Sequence, residues 1–421
     1  MKKILTNTFL VTLSFFVGNV FSYLLHIFLG RGLSVSEYAE FSVLLSLFNI
    51  FSVPATALST TLTKQSSEFN AAGKKEEYTS LFSMVIKYEI VFGLIFVILT
   101  LFFNKFILSY LNLNNFYSLL FFSIYVALTL FTVAPVSYLQ GFSLFKEFSF
   151  LNLINALLRL LLPIIFVLLG FKVSGAYIGL SASSLFVIFF SFFLLKKFFV
   201  SFKALSLKPY MKQFGKLFLA SVLSSLGLVL LSNSDVVLVK HYFSSELSGL
   251  YASVVVVGKV FLFGAGTISV VMFTQVTDIY TKKGDVKKVF MSFLSIIILV
   301  SLLLLPVFFL FPSVLIRTLF GLRFIEASTL LPLFTIFVLF FVLDQFFVMF
   351  FLAVNKKRVS LLVLGTALFQ YVLITVFHSS LKAVIVANIV SSLALFVIML
   401  LYFVNYVSFS NSSGLQKREN N

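Results

Sequence analysis

Arg159 lies halfway along an apolar stretch that runs from Phe148 to Gly170, with Asn155 four residues and Asn152 seven residues before it. Those intervals put the three side chains on one helical stripe, with Pro163 a turn further along the same face. A charge at the bilayer centre costs about 2.5 to 3.5 kcal/mol on insertion scales, so it needs a partner or a watery cavity. Two readings follow. Arg159 neutralises a buried carboxylate such as Asp344 or Asp235, or it contacts an anionic ligand, for which the planar guanidinium fork suits phosphate. Lys259, between Gly258 and Gly264, poses the same choice: it snorkels to an interface or, being far from both ends of its stretch, serves a cavity.

Asp235 and Asp344 sit in apolar stretches of their own and are candidates for ion coupling, since a carboxylate in a cavity can exchange a proton or bind sodium. Charge compensation for Arg159 or Lys259 is the competing role. Glu89, two residues from Lys87, is expected at the interface. Ser42, Ser46, Asn49, Ser52, Thr56, Ser59 and Thr63 follow one helix face, as do Asn19, Ser22 and His26, and again Ser221, Ser225, Ser232 and Asp235. Such faces either pack polar groups between helices or line a hydrated lumen. The expected lumen residues are Arg159, Lys259, Asn49, Asn152, Asn155 and His26, with Arg31 at an external mouth. The chain has no cysteine and three histidines, so neither a metal site nor another cofactor is expected.

The elements that must hold these residues are set by composition. Of 421 residues, 60% are hydrophobic and 11% charged, against about 25% charged in an ordinary soluble domain. A water-soluble fold is excluded. Twelve stretches are long enough for a helix to cross the hydrocarbon layer: Phe9–Leu29, Phe41–Leu62, Ser83–Phe103, Phe116–Leu139, Phe148–Gly170, Ala176–Leu195, Leu217–Val239, Leu250–Met272, Val289–Phe311, Ser328–Val354, Val359–Phe377 and Ala383–Phe403. Transmembrane strands would be half as long and alternate in polarity, so the fold class is an all-α polytopic membrane protein.

Of the 31 basic residues, 22 fall on the side of the N-terminus, seven on the other side, and Arg159 and Lys259 within spans. The positive-inside rule then places both termini in the cytoplasm. The first span is expected as a retained helix. Basic residues spread over seven cytoplasmic segments give no soluble domain for nucleic acid, and the net charge of +17 suits an anionic membrane face instead. The 59 phenylalanines with no tryptophan are read as a biased choice of apolar residue.

Features recur at half the chain length. Ser36-Glu37-Tyr38-Ala39-Glu40 is echoed by Ser245-Glu246-Leu247-Ser248-Gly249-Leu250-Tyr251-Ala252, and Ala72-Gly73-Lys74-Lys75 by Lys283-Gly284-Asp285-Val286-Lys287-Lys288. Lys146 to Ser149 is matched by Lys357 to Ser360. The common offset, about 210, points to a six-plus-six parallel repeat, with an N-terminal bundle over 1–200, a cytoplasmic linker over 201–216 and a C-terminal bundle over 217–421. At that offset Lys259 corresponds to Asn49 and Gly264 to Pro54, and matched helix interruptions are a pointer to a transporter's site.

The stretch Leu29-Gly30-Arg31-Gly32-Leu33-Ser34-Val35-Ser36-Glu37-Tyr38 through Phe41-Ser42, its echo ending in Gly249-Leu250-Tyr251, and Leu139-Gln140-Gly141 resemble the polysaccharide-biosynthesis and O-antigen flippases of the multidrug, oligosaccharidyl-lipid and polysaccharide exporter superfamily. That resemblance implies two six-helix bundles around a central cavity, MATE-like, in the bacterial cytoplasmic membrane. It implies as cargo a polyprenyl-diphosphate-linked oligosaccharide, an O-antigen or capsule repeat unit carried across by alternating access. Membrane lipid, a polysaccharide polymerase and other assembly proteins would be the partners. Export of drugs by the same fold is the alternative. A membrane polymerase or ligase fits less well, because external segments are short and hold only Glu37, Glu40, Glu246 and Glu326 among acids. No enzymatic activity is expected.

Overall fold

The computed structural model describes residues 2–196, 198, 208–356 and 358–419. Lys197, Lys203 and Lys357, counted above among the cytoplasmic cations, lie outside them. The helices in chain order are α1 (Lys2–Gly32), α2 (Val35–Phe51), α3 (Val53–Ala71), α4 (Lys75–Phe102), α5 (Asn104–Tyr110), α6 (Phe116–Phe131), α7 (Val133–Gly141), α8 (Phe145–Phe166) and α9 (Lys172–Leu195). They continue with α10 (Lys208–Tyr242), α11 (Ser245–Gly258), α12 (Val260–Thr281), α13 (Val286–Leu310), α14 (Pro312–Phe320), α15 (Leu331–Ala353), α16 (Val359–Val376) and α17 (Leu381–Glu419). Among the described residues there is no strand. The protein is an all-α polytopic membrane protein.

Nine helices among the described residues are long and apolar enough to cross a membrane, or ten when the α2–α3 pair, bent by 41°, counts as one. All twelve expected stretches fall on helix. The difference arises because the fifth and sixth belong to one 51-residue run, Phe145–Leu195, and the eighth is divided between α11 and α12. Within the run Gly170 has φ 91°, a left-handed conformation that glycine adopts without steric cost, and there the chain reverses so that α8 packs on α9. Residues 208–216, expected as linker, are helical because α10 already starts at Lys208.

Contacts divide the chain into two compact units, Met1–Ser225 with Lys240–Gly249, and Leu226–Val239 with Leu250–Asn421. Polarity within them is inverted relative to a soluble protein. On α9, Phe189 and Phe193 are 72% and 61% exposed while Ser183 and Ser191 are fully buried. Lipid solvates phenylalanine as well as a protein interior does, so small hydroxyl residues occupy the helix contacts instead. Glycine does the same where backbones nearly touch. A Cβ on Gly179 would stand 2.3 Å from the backbone nitrogen of Pro163, and one on Gly249 would stand 2.1 Å from the carbonyl oxygen of Val35. Gly141, from the Leu139-Gln140-Gly141 motif, lies against Ser66 and the carbonyl of Thr63 on α3.

Among the described residues three spans are broken in mid-course, at Ser52 between α2 and α3, at Thr132 between α6 and α7, and at Lys259 between α11 and α12. At the first break Pro54 occupies an opening position of α3, where its missing N–H costs no hydrogen bond. Ser52 and Thr132 hydroxyls donate back to the carbonyls of Asn49 (2.8 Å) and Thr129 (2.7 Å), a bond that favours bending. At the second break Glu89 departs from its expected interfacial setting: it is 4% exposed, and its carboxylate accepts the Ala134 backbone N–H at 2.9 Å. Breaking the helix frees an N–H in a medium without water, and a buried carboxylate from α4 satisfies it.

Gly179→Val is expected to abolish the monodisperse peak in size-exclusion chromatography of the detergent-solubilised protein, because α8 cannot retreat from α9 across their whole interface. Gly170→Ala, with nothing within 4 Å of its new Cβ, should cost only about 1 kcal/mol through its positive φ and keep the peak.

Candidate functional site

The first unit contains a cavity of about 300 Å³ between α2, α3, α6, α7, α8 and α9. Arg159, Asn155 and Asn152 line it together from α8, so the stripe inferred from their spacing is one wall of a real space. Ser52, Thr56 and Ser59 face them from the broken second span, and Thr129, Thr132 and Ser184 from α6, its break and α9. The guanidinium Nη2 of Arg159 donates to the Tyr125 hydroxyl at 3.2 Å, while the buried Nδ2 of Asn152 has no partner. A half-buried cation, an unused amide donor and a ring of hydroxyls form an environment suited to an anion with several oxygen atoms.

The helix breaks aim these hydroxyls. Were α2 and α3 one straight helix, Ser52 and Thr56 would continue the stripe of Ser42 and Ser46, which are buried; the 41° bend opens the space that they border. Phe48 packs against Tyr125 with the rings tilted and their centroids 4.7 Å apart, beside the phenol's bond to Arg159. Thr63, lower on the stripe, packs instead, with its hydroxyl 3.4 Å from the carbonyl of Ser137. The polar face thus does both things that its composition allowed, lining a cavity in its middle and packing at its ends.

Other expected residues of this unit lie elsewhere. His26 is half-buried on α1, with Nδ1 3.1 Å from the Tyr38 hydroxyl. Arg31 is exposed in the last turn of α1. Asn49 is half-buried on α2 and does not line the cavity with Arg159.

In the second unit Asp235 is 1% exposed and fully engaged. Its Oδ2 accepts the Tyr251 hydroxyl at 2.6 Å and the Asn388 amide at 3.2 Å, and its Oδ1 accepts the backbone N–H of Val236 at 2.8 Å. Asn388 Nδ2 also donates to Tyr251 at 3.0 Å, and its Oδ1 accepts from Gln370 at 2.9 Å. Gln370 further donates to the carbonyl of Leu231 at 3.1 Å. One turn along α17 from Asn388, Ser392 donates to Oδ2 of Asp344, whose Oδ1 is buried without a partner. Two carboxylates therefore engage successive turns of one face of α17 through Asn388 and Ser392. Lys259 occupies the N-cap position of α12 without a side-chain capping bond.

Tyr251, Gln370, Asn388 and Ser392 were not among the expected site residues. Their signal was single polar residues in spans otherwise rich in leucine, valine and phenylalanine. Among the described residues no group of three or more His, Cys, Asp or Glu side chains is placed to hold a metal ion.

The two clusters should respond differently to substitution. Asn388→Leu strands buried partners on Asp235 and Gln370, a penalty of about 1 to 3 kcal/mol, and should lower the thermal midpoint of the purified protein by several degrees. Arg159→Gln, in a cavity wall, should leave that midpoint within about a degree, since the Tyr125 hydroxyl that it releases borders the same cavity and can take a water there.

The profile of a family described as "Polysaccharide biosynthesis protein" matches residues 4–273. Comparison with curated protein sequences finds no match. Among solved structures, an inward-facing multidrug resistance MATE family transporter of the MOP superfamily superposes with a TM-score of 0.78 at 13% identity, covering 92% of this chain and 95% of that one. The lipid II flippase MurJ in an inward closed conformation gives 0.73 at 18% identity, covering 94% and 87%. A MOP superfamily transporter from Pyrococcus furiosus gives 0.65 at 14%, covering 94% and 95%. At these identities the likeness establishes the fold, which is MATE-like, and the profile match over more than half the sequence establishes the kinship: the chain belongs to the polysaccharide biosynthesis protein family.

Proposed function

We propose that the protein is a flippase that moves a polyprenyl-diphosphate-linked oligosaccharide, an O-antigen or capsule repeat unit, across the bacterial cytoplasmic membrane, with both termini in the cytoplasm. The observation that carries this reading is the cavity of Arg159, Asn152 and Asn155 in a chain of this family. Sugar and diphosphate cannot enter hydrocarbon unaided. A guanidinium beside amides and hydroxyls replaces the water that a diphosphate loses, while the polyprenyl tail remains in lipid. The structural likeness to a lipid II flippase and to multidrug exporters supports transport, and the family's place in polysaccharide biosynthesis supports a glycan as the cargo.

The domains in this reading are the N-terminal bundle over 1–200, the linker over 201–216 and the C-terminal bundle over 217–421, rocking as two halves to give alternating access. Arg159 binds the diphosphate, with Lys259, Asn49, His26 and Arg31 along the route. Asp235 and Asp344, with their ligands on α17, are the coupling site: a proton or sodium ion exchanging there would change which of Tyr251, Asn388 and Ser392 each carboxylate engages. Membrane lipid, a polysaccharide polymerase and other assembly proteins are the partners.

Deletion of the gene should trap complete lipid-linked units on the cytoplasmic face and remove surface polysaccharide. Wild type restores release, whereas Arg159→Ala at normal membrane level should lower it at least about tenfold, the scale of a lost charge-assisted hydrogen bond. Arg159→Lys keeps the charge without the fork and should fall between. Normal appearance of lipid-linked units on the outer face of the deletion strain would sink the reading.

A further inference from the structure

At the end of the first unit where α1 turns into α2 and α8 into α9, a second space of about 300 Å³ is lined by residues with polar side chains apart from Val173. The distribution of basic residues assigns this end to the outside of the membrane. Glu40, 4% exposed, lies in its wall. Its Oε2 is 3.4 Å from the backbone N–H of Asn114, the Ser118 hydroxyl in the same wall also acts on the carboxylate, and its Oε1 is buried without a hydrogen-bond partner. An unpaired buried carboxylate oxygen is costly in a folded chain and calls for a donor from outside it.

The charges around it decide which donor. Glu37 is committed: Oε1 pairs with Lys172 at 2.9 Å, and Oε2 accepts the backbone N–H of Ser34 at 2.9 Å. Behind Glu40 the ammonium of Lys240, itself 1% exposed, donates to the carbonyl of Asn112 at 3.0 Å and sets its charge against that of Glu40. Two carboxylates and two ammonium groups balance. A divalent cation would meet no excess negative charge, and an anion would meet the free carboxylate oxygen. What remains is a neutral ligand rich in hydroxyls, which donates to Glu40 and accepts from the exposed Asn114 amide and the Lys172 ammonium. The volume is at the low end of the range for small-molecule sites, roughly 300 to 1,000 Å³, and suits a single sugar ring.

We infer that this pocket is a neutral-sugar subsite, occupied by a glycan residue as the cargo reaches the outer side; the inference rests on the lipid-linked oligosaccharide reading above. The Glu40 Oε1 acceptor gives the subsite its selectivity, since a sugar without a suitably placed hydroxyl leaves that oxygen stranded.

The test uses the full-length protein in lipid nanodiscs and saturation-transfer NMR with the methyl glycosides of glucose, galactose, N-acetylglucosamine and rhamnose. At least one should show transfer, and Asn114→Ala and Glu40→Leu should each weaken it by about threefold or more, the scale of one hydrogen bond. Asn114 is exposed, so its variant folds even if Glu40→Leu, which leaves Lys240 buried without its counter-charge, does not. The inference is overturned if no glycoside shows transfer, if Asn114→Ala and any folded Glu40→Leu bind as well as wild type, or if calcium displaces the bound sugar by taking the carboxylate. Release of lipid-linked units in cells is read separately. Glycoside binding with normal glycolipid topology in the deletion strain would fault the flippase reading and keep the pocket, and the reverse pattern would fault the pocket alone.

Discussion

Every backbone donor and acceptor within hydrocarbon must find a partner inside the chain, and the polar architecture of this protein follows from how it meets that requirement at broken helices. A straight apolar helix satisfies itself and offers nothing to a ligand. A break exposes N–H and C=O groups at mid-depth, and the breaks at Ser52 and Thr132 are each met by two devices: a proline at the opening of α3 and the Ser52 hydroxyl folded back on Asn49 at the first, the Glu89 carboxylate on the Ala134 N–H and the Thr132 hydroxyl folded back on Thr129 at the second. The same breaks turn Ser52, Thr56 and Thr132 toward one space. Polar residues that compensate for lost helical bonds and polar residues that line the cavity are therefore neighbours by necessity.

The offset of about 210 residues expected from the sequence is matched by a pair of side-chain contacts. His26 on α1 approaches the ring of Phe41 on α2 at 5.8 Å, and Asp235 on α10 bonds Tyr251 on α11. His26 and Asp235 are 209 residues apart, and Phe41 and Tyr251 are 210 apart. Each half thus sets a titratable side chain of its first span against an aromatic ring near the start of its second, and the second span is then interrupted, at Ser52 in one half and Lys259 in the other. The chemistry of the two places differs: an imidazole beside the Phe41 ring and the Tyr38 hydroxyl in one, a carboxylate bonded to a phenol in the other.

Periodicity made the spans legible, because burial in lipid demands about twenty apolar residues in a row, and the 3.6-residue repeat made the Arg159 stripe legible, because Asn152 and Asn155 recur on its face. The cavity itself was not, since its walls come from four spans and close only through tertiary packing. Asn388, Gln370 and Ser392 were missed for a related reason: one amide or hydroxyl in an apolar span has no spacing to read, and its meaning lies in the Asp235 or Asp344 carboxylate that it meets from another helix. Glu89 was misplaced because its partner is a backbone N–H, freed by a break that the local sequence marks only by Pro135, three residues beyond Thr132. Gly141 and Gly249 show the converse. They stood out as motif residues, and the approach of the Thr63 and Val35 carbonyls supplies the steric reason.

The two polar clusters differ in how far their hydrogen bonds are already committed. Arg159 spends one hydrogen bond on Tyr125 and borders open space, so an incoming anion competes with water and a single phenol. Asp235 is held by a hydroxyl, an amide and a backbone N–H, and any ligand that engages it must displace at least one of them. A network in which Asn388 serves Asp235, Tyr251 and Gln370 at once responds to such displacement as a unit, because each donor released must find another acceptor or remain stranded in a low-dielectric interior. In the proposed function the open cluster binds the cargo and lets it go, and the closed one couples through the exchange of its internal hydrogen bonds. Asp344, with one oxygen bonded to Ser392 and the other free, extends the closed cluster by one turn of α17 and retains the unfilled acceptor that a proton or small cation would occupy.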